Sequence, residues 1–276
     1  MVNFSKYHSL GNNFIFINCL DNSLYNSIES SVRFLCDSQR GVGADGVILL
    51  LNSDAADFKM VVINADGSIP EMCGNGLRCF VRFVRDQGLT DEDAFTVETG
   101  RGVLDVLILE RFNKIKVDMG APILNRHEIP MLGDSNDIVV NEIIDPIYSD
   151  LTFTAVSMGN PHIVHFCSDL AQINLDELGP IFESHHILPN RTNVEFASVK
   201  NLTEVDMMVW ERGVGRTGAC GTGACAVVVA GVLNDVLDRH ATVHLPGGDL
   251  EIEWAENNHV FMTGDAEFVF SGSVEI

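Results

Sequence analysis

Cys73-Gly74-Asn75-Gly76 and Cys220-Gly221-Thr222-Gly223 each set a thiol against two glycines and run straight into an apolar segment of helical length. That segment is Leu77 to Arg85 after the first cysteine and Ala224 to Leu237 after the second. Both cysteines therefore read as residues at a helix N-terminus. There, unpaired backbone N–H groups and the positive end of the dipole favour thiolate over thiol and can grip a carboxylate. Glycine beside the thiol lets the backbone approach a ligand that a Cβ would hold off.

The echo extends beyond the cysteines. Gly11-Asn12 recurs as Gly159-Asn160 at almost the same offset, and nine residues before each cysteine stands a polar residue in a strand-to-turn setting, Asn64 in one case and Glu211 in the other. Offsets of this kind predict two structurally related halves, each bringing one thiol. If the halves face each other, they form a cleft with a thiol on either wall.

Composition narrows the partners. The formal charge of −22 on 276 residues disfavours nucleic acid and anionic membrane surfaces, so an anionic substrate must be held by local dipoles and a few cations. Met1 to Leu20 reads as a strand and loop, and no run of 18 apolar residues exists, which predicts neither signal peptide nor membrane span and a cytoplasmic location. Seven cysteines, an odd number, point to reduced thiols. Taken singly, Cys19, Cys36, Cys79, Cys167 and Cys225 read as small buried hydrophobes. The spacings Cys73 to Cys79 and Cys220 to Cys225 miss the tight C-x-x-C of zinc sites, so no metal is expected.

Along the chain, strands are predicted at 4–7, 14–18, 47–51, 58–64, 95–98, 103–109 and 114–118, with a helix over 27–38 and a glycine C-cap at Gly88. Gly120-Ala121-Pro122 marks a boundary. Beyond it come strands at 152–157, 162–166, 194–199 and 205–210, a short helix over 175–182, and closing hairpins from Thr242 onward. The run Ala224 to Leu233 is apolar on every face, the mark of a helix wrapped by protein. Many strands and few helices predict an α+β fold: two pseudo-symmetric halves, each a mostly antiparallel sheet or barrel around a central helix. The expected halves are residues 1–118, completed by 266–276, and residues 119–265.

The chain resembles the diaminopimelate epimerases over nearly its whole length. The motifs that carry the resemblance are His8-Ser9-Leu10-Gly11-Asn12, Gly43-Ala44-Asp45-Gly46, Asn64-Ala65-Asp66-Gly67-Ser68, Met72 through Cys79, Met158-Gly159-Asn160-Pro161-His162, Glu211-Arg212-Gly213 and Ala219 through Cys225. The resemblance implies an active site between the halves, Cys73 and Cys220 as catalytic thiols, no pyridoxal phosphate, no metal, and typically a homodimer. It further implies a small diamino diacid substrate held by Asn12, Asn64, Gly74, Asn75, Asn160, Asn193, Glu211, Arg212, Gly221 and Thr222, with His162 and Glu211 tuning the thiols. Arg212 suits a distal carboxylate through bidentate pairing, and Glu211 an ammonium group. Ser9 stands where the family commonly has glycine, Asn13 where it commonly has aspartate, Gly46 where some members carry glutamine, and Phe270 where a tyrosine often lies at the dimer contact.

The chemistry follows from the residues as well. Inverting a carbon that bears hydrogen, amine and carboxylate needs a base on one face and an acid on the other. Two opposed thiols, one ionised and one not, meet that need, and their titrations are coupled. Donors around the carboxylate, from the backbone after each cysteine and from the Asn75 and Thr222 side chains, would stabilise the carbanion. Three alternatives stand beside this expectation: a proline racemase or hydroxyproline epimerase, a thiol oxidoreductase pairing Cys73 with Cys220, and a non-catalytic amino-acid-binding protein.

Overall fold

The segment Gly46–Leu51, Gly-Val-Ile-Leu-Leu-Leu, is buried at all of its positions, and the architecture of the first half follows from that. A strand with no solvent face must be covered on both sides. The computed structural model, which describes residues 1–21, 24–70, 72–109, 114–133 and 136–276, shows what covers it. The chain divides into two units, residues 1–118 with 263–276, and residues 119–262.

In the first unit the strands are β1 (Val2–Ser9), β2 (Asn12–Asn18), β3 (Gly46–Leu51), β4 (Phe58–Asn64), β5 (Ala94–Thr99), β6 (Gly102–Leu109) and β7 (Lys114–Asp118), with β16 (Glu267–Val274) added at the edge of β1. They pair in the order β16-β1-β2-β3-β4-β5-β6-β7. Helix α1 (Tyr25–Cys36) lays Ile28, Val32 and Leu35 against Ile15, Ile17, Val47 and Leu49. Because side chains alternate along a strand, Phe14, Phe16 and Ile48 point to the other face, where α2 (Gly74–Asp86) packs on β1, β2, β3, β4 and β7. Phe83 of α2 stacks at 5.3 Å on Phe16.

The second unit repeats the plan with β8 (Thr154–Ser157), β9 (Pro161–Phe166), α3 (Leu175–Glu183), β10 (Asn193–Asn201), β11 (Glu204–Glu211), the short β12 (Gly215–Thr217), α4 (Gly221–Leu233), β13 (His240–Leu245), β14 (Gly248–Trp254) and β15 (Val260–Asp265). In each unit the first two strands are antiparallel, the second lies parallel to the third across a helix, and the third is antiparallel to the fourth. The cysteine and central helix follow, and the fourth strand then lies parallel to the next one, β5 or β13. Helix α4 touches β8, β9, β10, β11, β13 and β14. Its residues 223–231 are all buried, which is why it has no polar stripe. Each fully buried valine there is worth about 1.5–3 kcal/mol.

The expected α+β fold of two pseudo-symmetric halves is the observed one, with differences at helix ends. The helices after the cysteines begin at Gly74 and Gly221, earlier than the apolar runs suggest, because each cysteine is itself the N-cap in an extended conformation (φ −139°, ψ 110° for Cys73; φ −129°, ψ 109° for Cys220). Helix α4 stops at Leu233, short of Leu237, where Asp235 takes a left-handed φ of 57°. Gly88 does terminate α2, at φ +66° with its N–H on Arg85 O. The first helix spans 25–36, where 27–38 was the sequence expectation. Cys167 is half-buried, unlike the other four cysteines read as core residues.

Candidate active site

In the first unit Cys73 is half-buried, with Sγ accepting the Gly76 N–H at 3.3 Å and lying 3.9 Å from Asn12 Oδ1. Asn12 is set by Asp45, whose Oδ2 accepts from Asn12 Nδ2, from the Asn13 N–H and from Asn13 Nδ2 at 2.8–3.0 Å. An aspartate at position 13 would face that carboxylate, so Asn13 fits its surroundings. Asn64 closes the adjoining turn, with its N–H on Ser68 O and Nδ2 on Ser68 Oγ.

Asn75 is buried, and its Oδ1 accepts from Arg78 Nη2 at 2.6 Å. Its side-chain carbonyl is thus committed to the protein, leaving the amide end and the main-chain N–H to act as donors. Arg78 is fully buried and also donates to Gly74 O and to Ser9 Oγ, at 2.6 Å from Nη2, while Ser9 donates to Asp265 O at 2.7 Å. A glycine at position 9 could make neither bond. At Gly46 a Cβ would stand 2.8 Å from Ile63 O and 3.3 Å from the Phe14 ring, so this backbone has no room for a glutamine there.

In the second unit the chain brings together Cys220, Thr222, Asn160, His162 and Glu211. Thr222 Oγ1 lies 3.6 Å from Cys220 Sγ and accepts from Asn160 Nδ2 at 3.2 Å; Asn160 Oδ1 meets His162 Nε2 at 3.1 Å. His162 Nδ1 lies 2.7 Å from Glu195 Oε1, with both side chains fully buried. Glu211 Oε1 accepts from Thr217 Oγ1. Gly221 backs onto Met262, whose Sδ would be 2.9 Å from a Cβ.

Asn193 works through its neighbours. Its Nδ2 donates to Pro161 O and its Oδ1 accepts the Arg212 N–H, each at 2.9 Å, so it ties the Arg212 turn to β9. Arg212 is exposed and donates from Nη1 to Asn190 O, with no carboxylate partner among the described residues. The turn has a second anchor. Glu183 at the end of α3 accepts the Gly213 N–H and Trp210 Nε1, both at 2.8 Å. Burial pushes the Glu183 carboxyl up, but these donors together with Arg191 outweigh it and hold the carboxyl below its usual range.

The helix N-terminus was expected to lower the thiols, and Cys220 goes the other way. Burial pushes it well above the ordinary thiol range, and the Glu211 and Glu195 carboxyls push it further. Desolvation and the two carboxyls outweigh the helix dipole at this thiol. Burial likewise raises Glu211 and Glu195.

The diaminopimelate epimerase family model matches residues 4–125 and 154–269, spans that hold both cysteines and every residue just described. The chain belongs to the diaminopimelate epimerase family. It is 48% identical to a diaminopimelate epimerase of Desulfitobacterium hafniense over 97% of this chain and 96% of that one, and 46% identical to one of Methanococcus maripaludis over 99% of both. Among solved structures it shares its fold with a phenazine biosynthesis protein of the PhzF family from Bacillus anthracis (TM-score 0.72, 16% identity, 100% and 99% coverage). A hydroxyproline epimerase from Agrobacterium vitis is also similar in fold (TM-score 0.68, 14% identity, 99% and 90% coverage).

Four residues of these half-sites escape a reading of the sequence as motifs: Asp45, Arg78, Glu183 and Glu195. Asp45 and Arg78 lie inside the motifs that carry the resemblance, which assign them no role. Glu195 carried the best signal, a lone carboxylate within the apolar strand Val194-Glu195-Phe196-Ala197.

Proposed function

We propose that this epimerase-family chain interconverts LL- and meso-diaminopimelate by proton transfer at an α-carbon, with Cys73 and Cys220 as the two proton carriers. The observation that carries the reading is the repetition of one device: a cysteine as N-cap of a buried central helix, at the same topological place in two units of the same plan. One thiol takes the α-proton as thiolate while the other delivers a proton to the opposite face, and the roles exchange for the reverse reaction.

The α-carbanion spreads its charge into the neighbouring carboxylate. The first-turn N–H groups of Gly74 and Asn75 in α2, and of Gly221 and Thr222 in α4, lack partners further back in their helices and are the donors for it. Removing one well-aimed donor of this kind costs about 3–4 kcal/mol in the barrier. Arg212 and Glu211 then hold the distal carboxylate and ammonium groups. That distal grip separates a diamino diacid from proline, which has nothing for them to bind.

The apolar edge strand β16 supports a homodimer. Phe268, Val269 and Phe270 are 49%, 46% and 41% exposed in succession on a strand whose outer edge is unpaired in the sheet order. Phe270 keeps an edge-on ring contact with Phe4 at 5.8 Å. The free state of all seven cysteines supports a reducing, cytoplasmic setting. No helix among the described residues is long and apolar enough to cross a membrane.

The deciding experiment offers LL-diaminopimelate and L-proline separately in deuterated water. Uptake of α-deuterium from the diamino diacid alone is expected, and it is lost in both Cys73→Ala and Cys220→Ala. Uptake from proline, or turnover that survives either substitution, would overturn the reading.

A further inference from the structure

The strands β3 and β10 hold the same place in their units, each parallel to the strand before and antiparallel to the strand after. Ile48 pairs with Val62, eleven residues before Cys73, and Glu195 pairs with Val209, eleven residues before Cys220. Each side chain reaches over the glycine three residues after its cysteine. A Cβ on Gly76 would lie 2.7 Å from Ile48 Cδ1 and 3.4 Å from Cys73 Sγ; a Cβ on Gly223 would lie 2.8 Å from Glu195 Oε1 and 3.3 Å from Cys220 Sγ. Two residues before each, Gly46 pairs with Phe14 and Asn193 with His162. One framework thus holds Ile48 near one thiol with Phe14 on the neighbouring strand, and Glu195 near the other with His162 on the neighbouring strand. Hydrocarbon satisfies the packing at these positions, so the fold does not require a buried carboxyl and imidazole in the second unit.

The hydrogen bonds count the protons. Asn160 donates from Nδ2 to Thr222, which turns Oδ1 toward His162 and requires a hydrogen on Nε2. Nδ1 and Glu195 Oε1, 2.7 Å apart, then share one proton, and the pair is neutral wherever that proton sits. Glu195 Oε2 is buried without a partner among the described residues.

We propose that Glu195 is a positioning residue for Cys220: by sharing one proton with His162 it fixes the His162–Asn160–Thr222 chain beside the thiol and sets the charge that the thiol faces. While the pair keeps its proton, Cys220 has only Glu211 of β11 as an anionic neighbour. Once the pair gives the proton up, a second negative charge lies close to Sγ and opposes thiolate, so the two titrations are coupled. The other strands on α4 add no charge there. Strand β8 has no ionisable side chain, and His240, His244, Asp249, Glu251 and Glu253 occupy the less buried alternate positions of β13 and β14. The role rests on the epimerase reading only for its activity measurement.

The test follows the 13Cβ resonance of Cys220, assigned with Cys220→Ser, through a pH titration of the full chain. In Glu195→Gln, which keeps the shape and cannot give up a proton, Cys220 is expected to titrate in one simple step about a pH unit lower. That corresponds to roughly tenfold more thiolate at a given pH below the midpoint. The pH profile of kcat moves the same way, with KM within about twofold. The double variant His162→Phe/Glu195→Ile, which borrows the pair of the first unit, should fold with a melting temperature at or above that of the parent. An unchanged Cys220 titration in folded Glu195→Gln, or a double variant that cannot fold, overturns the proposal. Absence of α-deuterium uptake by the unaltered enzyme sinks the epimerase reading instead and leaves the titration free to decide on Glu195.

Discussion

Replacing Glu183 with alanine should loosen the turn that carries Arg212 and so weaken the grip proposed for the distal end of the substrate. Its carboxylate takes two charge-assisted hydrogen bonds of 2.8 Å, from the Gly213 N–H and Trp210 Nε1. Each such bond contributes about 1.5–3 kcal/mol where water cannot replace it. Trp210 and Gly213 keep some solvent access, and the contact to Arg191 at 3.5 Å is too exposed to count for much. The loss is therefore about 2–4 kcal/mol, or roughly 3–7 °C in melting temperature for a chain of this size. Gly213, at φ +78°, carries the turn that presents Glu211 and Arg212, and Asn193 is its remaining anchor. KM for diaminopimelate is expected to rise about tenfold, near 1.4 kcal/mol, with kcat little changed. The effect on stability has a pH signature. Because Glu183 is held below its usual range in the folded state, its contribution is fully present above the unfolded carboxylate pKa of about 4.3 and is lost as pH falls through the folded value. The gap in melting temperature between the parent and Glu183→Ala should thus be full at pH 7 and close on acidification below about pH 4. An alanine variant within 1 kcal/mol of the parent with unchanged KM would refute this account of the turn.

Other positions give sharp expectations. Gly46→Ala pushes a Cβ to 2.8 Å from a backbone oxygen and should cost about 1–3 kcal/mol by chemical denaturation, with no gain in substrate affinity from the larger Gly46→Gln. Arg78→Met leaves Ser9, Asn75 and Gly74 acceptors without their buried donor; losses of about 3–5 kcal/mol in stability and a fall in kcat are expected, partly restored by Arg78→Lys. Phe270→Asp should shift sedimentation from dimer to monomer while Cys73 and Cys220 remain reduced and intact by mass spectrometry.

The alternation and apolar runs of the sequence were enough for the α+β fold and for its internal repeat, because they reflect local rules: a strand buried on both faces, a glycine-flanked N-cap, a helix with no polar side. Helix ends were less legible. Asp235 in a left-handed turn stops α4 four residues before the last apolar position, and the pair Asn234-Asp235, residue types that tolerate that conformation, is the signal the apolar pattern overran. The direction of the Cys220 titration was not legible either. A helix N-terminus predicts a lowered thiol; the opposite result comes first from burial and then from Glu211 and Glu195, which lie 9 and 25 residues away along the chain and meet the thiol only when β11 and β10 close over α4.

What the sequence by itself determined was the inventory and the plan: two thiols, each at the head of a helix, the second of them too apolar to face water, in two halves built alike. Periodicity and glycine placement act over a few residues, so they survive in a linear reading. Only the tertiary structure decided which side chains serve those thiols, because burial and charge are properties of assembled neighbours. Ile48 and Glu195 occupy one framework position in strands of the same kind, yet one lends the nearby cysteine hydrocarbon and the other a proton-sharing acid.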